Sequence, residues 1–363
     1  MNGGPIKGRG ASSNPANRFE EVHFERSPDW DSAGDLAPST LLFRDETQTI
    51  LSYNDSPDVG FDVSINPYRG CEHGCVYCYA RPTHEYLGFS AGLDFETRIM
   101  VKDNAPQLLR AELSSPKWKP QVIAMSGVTD CYQPAERKMK LTRRCLEVLA
   151  QFRNPVCIVT KNHLVTRDID LLRELARYNA AAVYLSVTTL DSTLTPKIEP
   201  RASLPNHRLA AIQALHEGGV PVGVLIAPVI PGLTDHEIPS ILAAAVKAGA
   251  ECAGFVPLRL PHGLGSMFEN WLVQHFPERK DKILNRIKSI RGGKINDSNF
   301  GSRMRGEGIF AEQMEQLFDV ACRKAGILGR GFSLSVNAFR PPGGLQLSLF
   351  DQAPHSPSRA RHY

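Results

Sequence analysis

This chain has few cysteines and no long apolar run. Only 8 of its 363 residues are Cys, and they show no pairing pattern, which argues against a disulfide scaffold. No stretch approaches the roughly 18 apolar residues that span a bilayer, so no membrane partner is expected. Internal repeats are absent, which removes solenoids and propellers. The stretch Met1–Asn17 is rich in Gly, Ser, Asn and Pro and lacks the apolar core of a signal peptide. It reads as disordered, and a reducing, cytoplasmic location is the expectation. Neither charge sign dominates. The net charge of +4 permits nucleic-acid binding without demanding it. What remains, 42% hydrophobic and 22% charged residues, is the composition of a soluble globular protein. Its length suits one large barrel or two ordinary domains.

Three of the few cysteines are concentrated in one run, Asn66-Pro67-Tyr68-Arg69-Gly70-Cys71-Glu72-His73-Gly74-Cys75-Val76-Tyr77-Cys78-Tyr79. Random scatter would place three Cys at this C-x3-C-x2-C spacing in roughly four chains per thousand. Three thiolates so close can hold one cubic iron–sulfur cluster by three irons. With no fourth Cys nearby, one iron is left open to a small molecule. Zinc is the competing reading, with His73 or His84 completing a set of four ligands.

Cys71-x3-Cys75-x-Tyr77-Cys78, with its aromatic residue before the third Cys, resembles the radical S-adenosylmethionine (radical SAM) signature. The flanking Asn66–Gly70 and Cys78-Tyr79-Ala80-Arg81 are similar to the spore photoproduct lyase-like group, over roughly residues 40 to 340. The resemblance implies that Cys71, Cys75 and Cys78 hold a [4Fe–4S] cluster. Its open iron would chelate SAM and, with one electron from a reducing donor, cleave it to methionine and a 5′-deoxyadenosyl radical.

From about residue 60 to 260, short apolar runs alternate with amphipathic ones. The expected strands are Asp62–Ile65, Gln121–Met125, Val156–Thr160, Ala182–Val187, Pro221–Ala227 and Gly254–Leu258. The expected helices are Asn104–Leu113, Ala135–Gln151, Asp168–Tyr178, Asn206–Glu217 and Thr234–Ala248. Near-continuous aliphatic strands separated by helices argue for a parallel sheet covered by helices. Six such units fit the partial (β/α)6 barrel that the resemblance implies, and a closed eight-unit barrel needs two more. The fold class expected is therefore α/β, with a helical C-terminal extension and disordered termini. The expected division is a disordered segment 1–40, a barrel 41–265, a helical extension 266–336 and a flexible tail 337–363.

Sites in such barrels lie where the strands end. The resemblance makes Ser126, Thr129 and Asp130, after the second strand, candidates to meet the SAM amino group. A helix cap ahead of Gln133 is the alternative. After the fourth strand, Ser186 and Thr188 are candidates for the ribose or carboxylate, or else hydroxyls serving the neighbouring backbone. Arg201, in a Glu-Pro-Arg triplet that the resemblance also places here, is the candidate for the SAM carboxylate, since guanidinium is a bidentate donor, and a solvated loop Arg is the alternative. Tyr77 and the loop end of Ile226–Gly232 are expected against adenine. Cys131 is a candidate hydrogen-atom donor, since an S–H bond is weak. In the relatives a cysteine of this region precedes a Thr-Ser-Asp run, whereas Cys131 follows Thr129-Asp130, and a buried inert thiol is the alternative. Cys145, Cys157, Cys252 and Cys322 sit in apolar patterns and read as core.

Near the C-terminal end, Gln346-Leu347-Ser348-Leu349-Phe350 follows the flexible Arg340-Pro341-Pro342-Gly343-Gly344. This pentapeptide resembles the one that bacterial partners insert into the DNA sliding clamp. The resemblance gives Gln346, Leu347, Leu349 and Phe350 to clamp binding. A last element docking on the barrel is the alternative. Taken together, the sequence points to a lyase-like radical SAM enzyme acting on DNA lesions. Competing readings are radical SAM modification of RNA or protein, and a metal-bearing binding module without catalysis. No second cysteine triplet and no recognisable RNA-binding module support the former.

Overall fold

Six short apolar runs become six parallel strands. The computed structural model describes residues 4–19, 38–327 and 331–341. In chain order the strands are β1 (Leu41–Arg44), β2 (Leu51–Tyr53), β3 (Val63–Ile65), β4 (Tyr68–Arg69), β5 (Arg98–Val101), β6 (Ile123–Met125), β7 (Val156–Thr160), β8 (Ala181–Ser186), β9 (Val222–Val229) and β10 (Cys252–Pro257). The main sheet runs β10-β9-β8-β7-β6-β3-β2. All neighbours from β3 to β10 pair in parallel, and β2 returns antiparallel beside β3. The sheet ends at β2 and β10 rather than closing on itself, so the (β/α)6 barrel is partial, as expected.

Helices cover the sheet and explain why β3 and β6 are buried at every residue. Helices Ala105–Ser114, Leu141–Phe152, Ile169–Ala176, Pro205–Glu217 and Ile238–Lys247 follow the strands in turn. The single helix expected over Ala135–Gln151 is broken in two. Lys140 takes a left-handed conformation (φ 53°), ending Glu136–Met139 before Leu141–Phe152 begins. A second small sheet, β1-β5-β4, was not visible in the sequence because its strands are too short to show a period.

Beyond the barrel, helices Leu264–His275 and Lys280–Ser289 bury Phe268, Trp271, Ile283 and Ile287 in one cluster with Val76, Tyr77 and Ile198. The helices after the barrel therefore brace the cysteine loop. Helix Ile309–Ala325 packs Met314 and Phe318 into the main core beside Ile238 and Leu242. None of the helices among the described residues is long and apolar enough to cross a membrane.

Residues 4–19 pack, although their composition suggests disorder. They lie as a strap on the cysteine loop, and Ala11 is buried. The amides of Gly10 and Ala11 both donate to the Glu96 carboxylate, at 3.1 and 2.8 Å. The strap has no core of its own and uses one formed by residues 70–96. Residues 337–341, at the start of the expected tail, are also tied down: the Arg340 amide donates to the Phe152 carbonyl at 2.8 Å. Residues 1–3, 20–37 and 342–363 of the expected disordered segments lie outside the described residues.

Candidate active site at the strand ends

The cysteine loop leaves β3 and is held by buried polar side chains. Gly70 has φ 78°, a conformation that side chains rarely adopt. Gln133, fully buried, bridges the loop: its Nε2 donates to the Gly70 carbonyl at 3.1 Å, and its Oε1 accepts from the Glu72 amide at 2.9 Å. Arg81, also fully buried, donates through Nε to the Cys75 carbonyl at 2.9 Å and pairs with Glu96 at 2.5 Å. The Cys71 amide donates to the Phe95 carbonyl, and the Val76 amide to Ile198. Motif spacing identifies the cysteines but gives no sign of Gln133 or Glu96, which fix the loop's path.

Facing this loop is a buried charge centre built on Glu199, which accepts from Tyr77 Oη, from Thr188 Oγ1 at 2.7 Å and from Arg208. The Lys161 ammonium is 3.4 Å from the same carboxylate. It also donates to Ser186 Oγ and to the Ala227 carbonyl, both at 2.9 Å, and lies 5.8 Å over the Tyr77 ring. Burial alone would raise the Glu199 carboxyl. Arg208 and Lys161 outweigh it and hold the group well below the usual carboxylate range. The centre thus joins the ends of β7, β8 and β9 to the middle of the cysteine loop.

A second acid, Asp130, ties the loop to β7. Its carboxylate accepts from Thr160 Oγ1 at 2.7 Å and the Lys161 amide at 2.8 Å, and lies 3.3 Å from His73 Nδ1. Burial works against ionisation here too, but His73 and these hydrogen bonds hold the group below its ordinary value. Ser126 sits in the left-handed region (φ 76°), and its Oγ accepts from the Cys131 amide at 2.9 Å. Thr129 Oγ1 donates to the Tyr68 carbonyl at 2.7 Å.

A family model described as the radical SAM superfamily matches residues 65–245. The chain belongs to the radical SAM superfamily. An uncharacterized protein of Mycobacterium tuberculosis is 38% identical over 220 residues, covering 60% of this chain and 65% of the relative. An uncharacterized protein of Methanocaldococcus jannaschii is 31% identical over 227 residues, 62% of this chain and 81% of the relative. Among solved structures, a spore photoproduct lyase variant with bound AdoMet and dinucleoside spore photoproduct superposes with a TM-score of 0.56. It covers 78% of this chain and 79% of its own at 16% identity, a likeness of fold.

The donor set fits the family's cluster better than a lone ion. Cys71, Cys75 and Cys78 are free thiols. Among the described residues no group of three His, Cys, Asp or Glu side chains is placed to hold one metal ion. A cubane takes one thiolate per iron and so spaces its ligands more widely than a single zinc does. Burial pushes all three thiols up, while Arg81 and Lys161 pull Cys78 back and Lys161 and Arg208 pull Cys75 back. Bound iron would add the positive charge that favours the thiolates. Of the two histidines, His73 is not free to join. His73 is engaged at both ring nitrogens, by Asp130 and by Asn162 at 3.0 Å. His84 is fully buried against Phe89 and Phe95, with no hydrogen-bond partner for either nitrogen.

The expected radical SAM residues divide into those the fold gathers and those it does not. Tyr77, Ser186 and Thr188 meet around Glu199. Asp130 and Ser126 border them through Lys161 and Cys131. Arg201 departs from the expectation. Its guanidinium is 3.0 Å from Glu72 and 3.1 Å from Thr40 Oγ1, on the strap side of the loop, where it lines a 420 Å³ cavity with Lys7 and Arg9. Within the Glu-Pro-Arg triplet, Glu199 turns inward and Arg201 outward, and the cation beside Glu199 and Tyr77 is Lys161. Cys131 is fully buried in the main core with Met125, Tyr132 and Cys145, and burial pushes its thiol well up. Cys145 and Cys252 are buried as expected, whereas Cys157 and Cys322 are half-buried. The clamp-like residues Gln346, Leu347, Leu349 and Phe350 lie outside the described residues.

Proposed function

We propose that this protein is a radical SAM enzyme of the cytoplasm that acts on DNA, in the manner of a spore photoproduct lyase-like repair enzyme. The observation that carries the reading is the Lys161–Glu199–Tyr77 centre set against a loop of three free cysteines. Cys71, Cys75 and Cys78 hold a [4Fe–4S] cluster, which with bound SAM and one electron from a reducing partner supplies a 5′-deoxyadenosyl radical. Tyr77 lays its ring against adenine, its hydroxyl fixed by Glu199 and Thr188. Lys161 takes the SAM carboxylate, with Ser186 beside it. Ser126, Thr129 and Asp130 border the amino group. Glu199 holds Lys161 in place. Its own charge is offset by Arg208, so the centre retains a net positive charge for an anionic group.

DNA as substrate is supported by the shared fold with the spore photoproduct lyase whose bound ligand is a dinucleoside photoproduct. The tail resemblance supports a tether to the bacterial sliding clamp through Gln346, Leu347, Leu349 and Phe350, which would raise the local concentration of DNA. The matched region spans 65% of the mycobacterial relative, so these assignments are made for this chain alone.

The test is anaerobic cluster reconstitution, chemical reduction and chromatography for 5′-deoxyadenosine. The intact protein should bind about four irons with sulfide and form the product, and Cys75→Ala should form none. Zinc without iron, or no product from the iron-loaded protein, would sink the proposal. For the tether, deleting Gln346–Phe350 should abolish co-elution with the clamp. Persistent co-elution, or none before deletion, refutes it.

A further inference from the structure

The open edge of the barrel is bridged by a basic loop. Asp58, in the turn between β2 and β3, accepts from the Gly301 amide at 2.6 Å and pairs with Arg303, whose NH2 donates to Ser56 at 2.6 Å. Arg291 fastens the same loop to the end of β10. Its guanidinium donates to the carbonyls of Ser302 and Arg303, both at 2.9 Å, and to Leu258 at 2.8 Å. The bridge therefore spans the gap between the first and last strands of the partial barrel. Beside it lies a cavity of about 640 Å³ whose lining includes Asp58, Phe300, Met304 and Arg305.

Cations are in excess here. Arg291 is 4% exposed, yet its Nε has no partner. Arg259, just past β10, contacts Met304 sulfur at 3.0 Å and leaves its own Nε unpartnered. Among the described residues neither Arg259, Arg291 nor the exposed Arg305 forms an ion pair with a carboxylate. Asp58 and Asp297 act on these guanidiniums only from beyond ion-pair distance, and the buried Nε donors of Arg259 and Arg291 lack an acceptor, which is costly and which an anion would relieve. Two further observations narrow its class. Phe300 is 61% exposed, and Arg303 lies 4.4 Å from its ring centre. An exposed aromatic ring beside arginines suits a base and its phosphates. The other observation is position: Phe300 and Arg305 line the same cavity.

We propose that this bridge is a binding site for single-stranded nucleic acid, in which Arg259 and Arg305 take phosphates and Phe300 stacks one base. The inference rests on the nucleic-acid reading above and adds where the strand lies. A strand held here lies along the cavity at the open edge of the barrel.

The experiment is fluorescence anisotropy of the full-length protein with a labelled deoxyoligonucleotide of about ten residues. Phe300→Ala should weaken binding roughly 10-fold. Arg259→Gln should weaken it and lower the log–log salt slope by roughly 0.7, the share of one phosphate contact on a single strand. Tyr86→Ala, an exposed aromatic far along the chain, should change nothing. Phe300 is a surface residue, so its variant keeps the test alive if Arg259→Gln does not fold. A ribo-oligonucleotide run in parallel identifies which nucleic acid binds more tightly, and either preference supports the site. Affinity and salt slope unchanged in both variants, or equal competition by a glutamate-rich peptide, would overturn it. Deoxyadenosine formation by the intact enzyme reports separately on the radical reading. If it is normal while Phe300→Ala binds oligonucleotide as well as the intact protein, only the present inference fails.

Discussion

Arg81 and Arg208 are buried against carboxylates, whereas Arg291 is buried and Arg259 half-buried with none. The first pair acts inside the fold. Arg81 joins Glu96 to the Cys75 carbonyl, and Arg208 neutralises Glu199 beneath Lys161. The second pair lies where the barrel is open and meets carbonyls, a sulfur atom and each other's field. Burial and Arg259 together pull the Arg291 guanidinium down to about 10. A cation with its acid in place holds a geometry. A cation kept without one is poised for a ligand that brings the negative charge.

Substitution should separate the two kinds sharply. Arg208→Leu strands Glu199 as a buried, partly compensated charge and should cost about 3–5 kcal/mol in urea unfolding. A loss below about 1 kcal/mol would mean that Lys161 alone suffices and the pairing argument fails. His84 is an intermediate case, a buried base without an ion pair whose burial outweighs the pull of Asp94. Burial lowers its pKa from 6.5 to about 4, so the unfolded chain takes up the proton first. Its contribution is complete above about pH 6.5 and is lost as the pH falls toward 4, about 3 kcal/mol over that window. His84→Phe should flatten this part of the stability–pH curve, and superimposable curves for the two proteins would refute the assignment. Gly10→Ala tests the strap. A Cβ there would lie 1.8 Å from the Gly74 carbonyl oxygen, so the strap must lift, at about 1–3 kcal/mol, with faster amide exchange at Ala11. Unchanged exchange would show that the strap does not depend on this contact. Arg259→Leu should shift stability by no more than about 0.5 kcal/mol in either direction. A large loss would place Arg259 with the structural pair.

The six barrel strands were legible because each is a near-continuous aliphatic run, and burial on both faces requires that pattern. The cysteine triplet was legible because its spacing is local. The charge centre was less so. Lys161 follows Thr160 at a strand end with nothing around it to mark a site. Arg208 lies on a helix where a cation reads as solvated, and its acid is nine residues earlier. Such pairs are made by the fold and leave no spacing rule in the chain. Arg201 illustrates the converse: its triplet was recognisable, but two residues of backbone decide which side of the loop each charge faces, and Arg201 lies beside Glu72 on the strap side. The strap misled through composition. Gly and Ser exclude a private core but do not prevent a segment from packing on another's, and Gly10 is suited to this because only a residue without a Cβ fits against Gly74.

The strap also orders events in time. Ala11 leaves the ribosome 85 residues ahead of Glu96, whose carboxylate receives its amide. Until Glu96 and Arg81 have met, those strap amides have only water to bond. Residues synthesised early are thus among the later ones to settle, and during that interval the outer side of the cysteine loop remains uncovered.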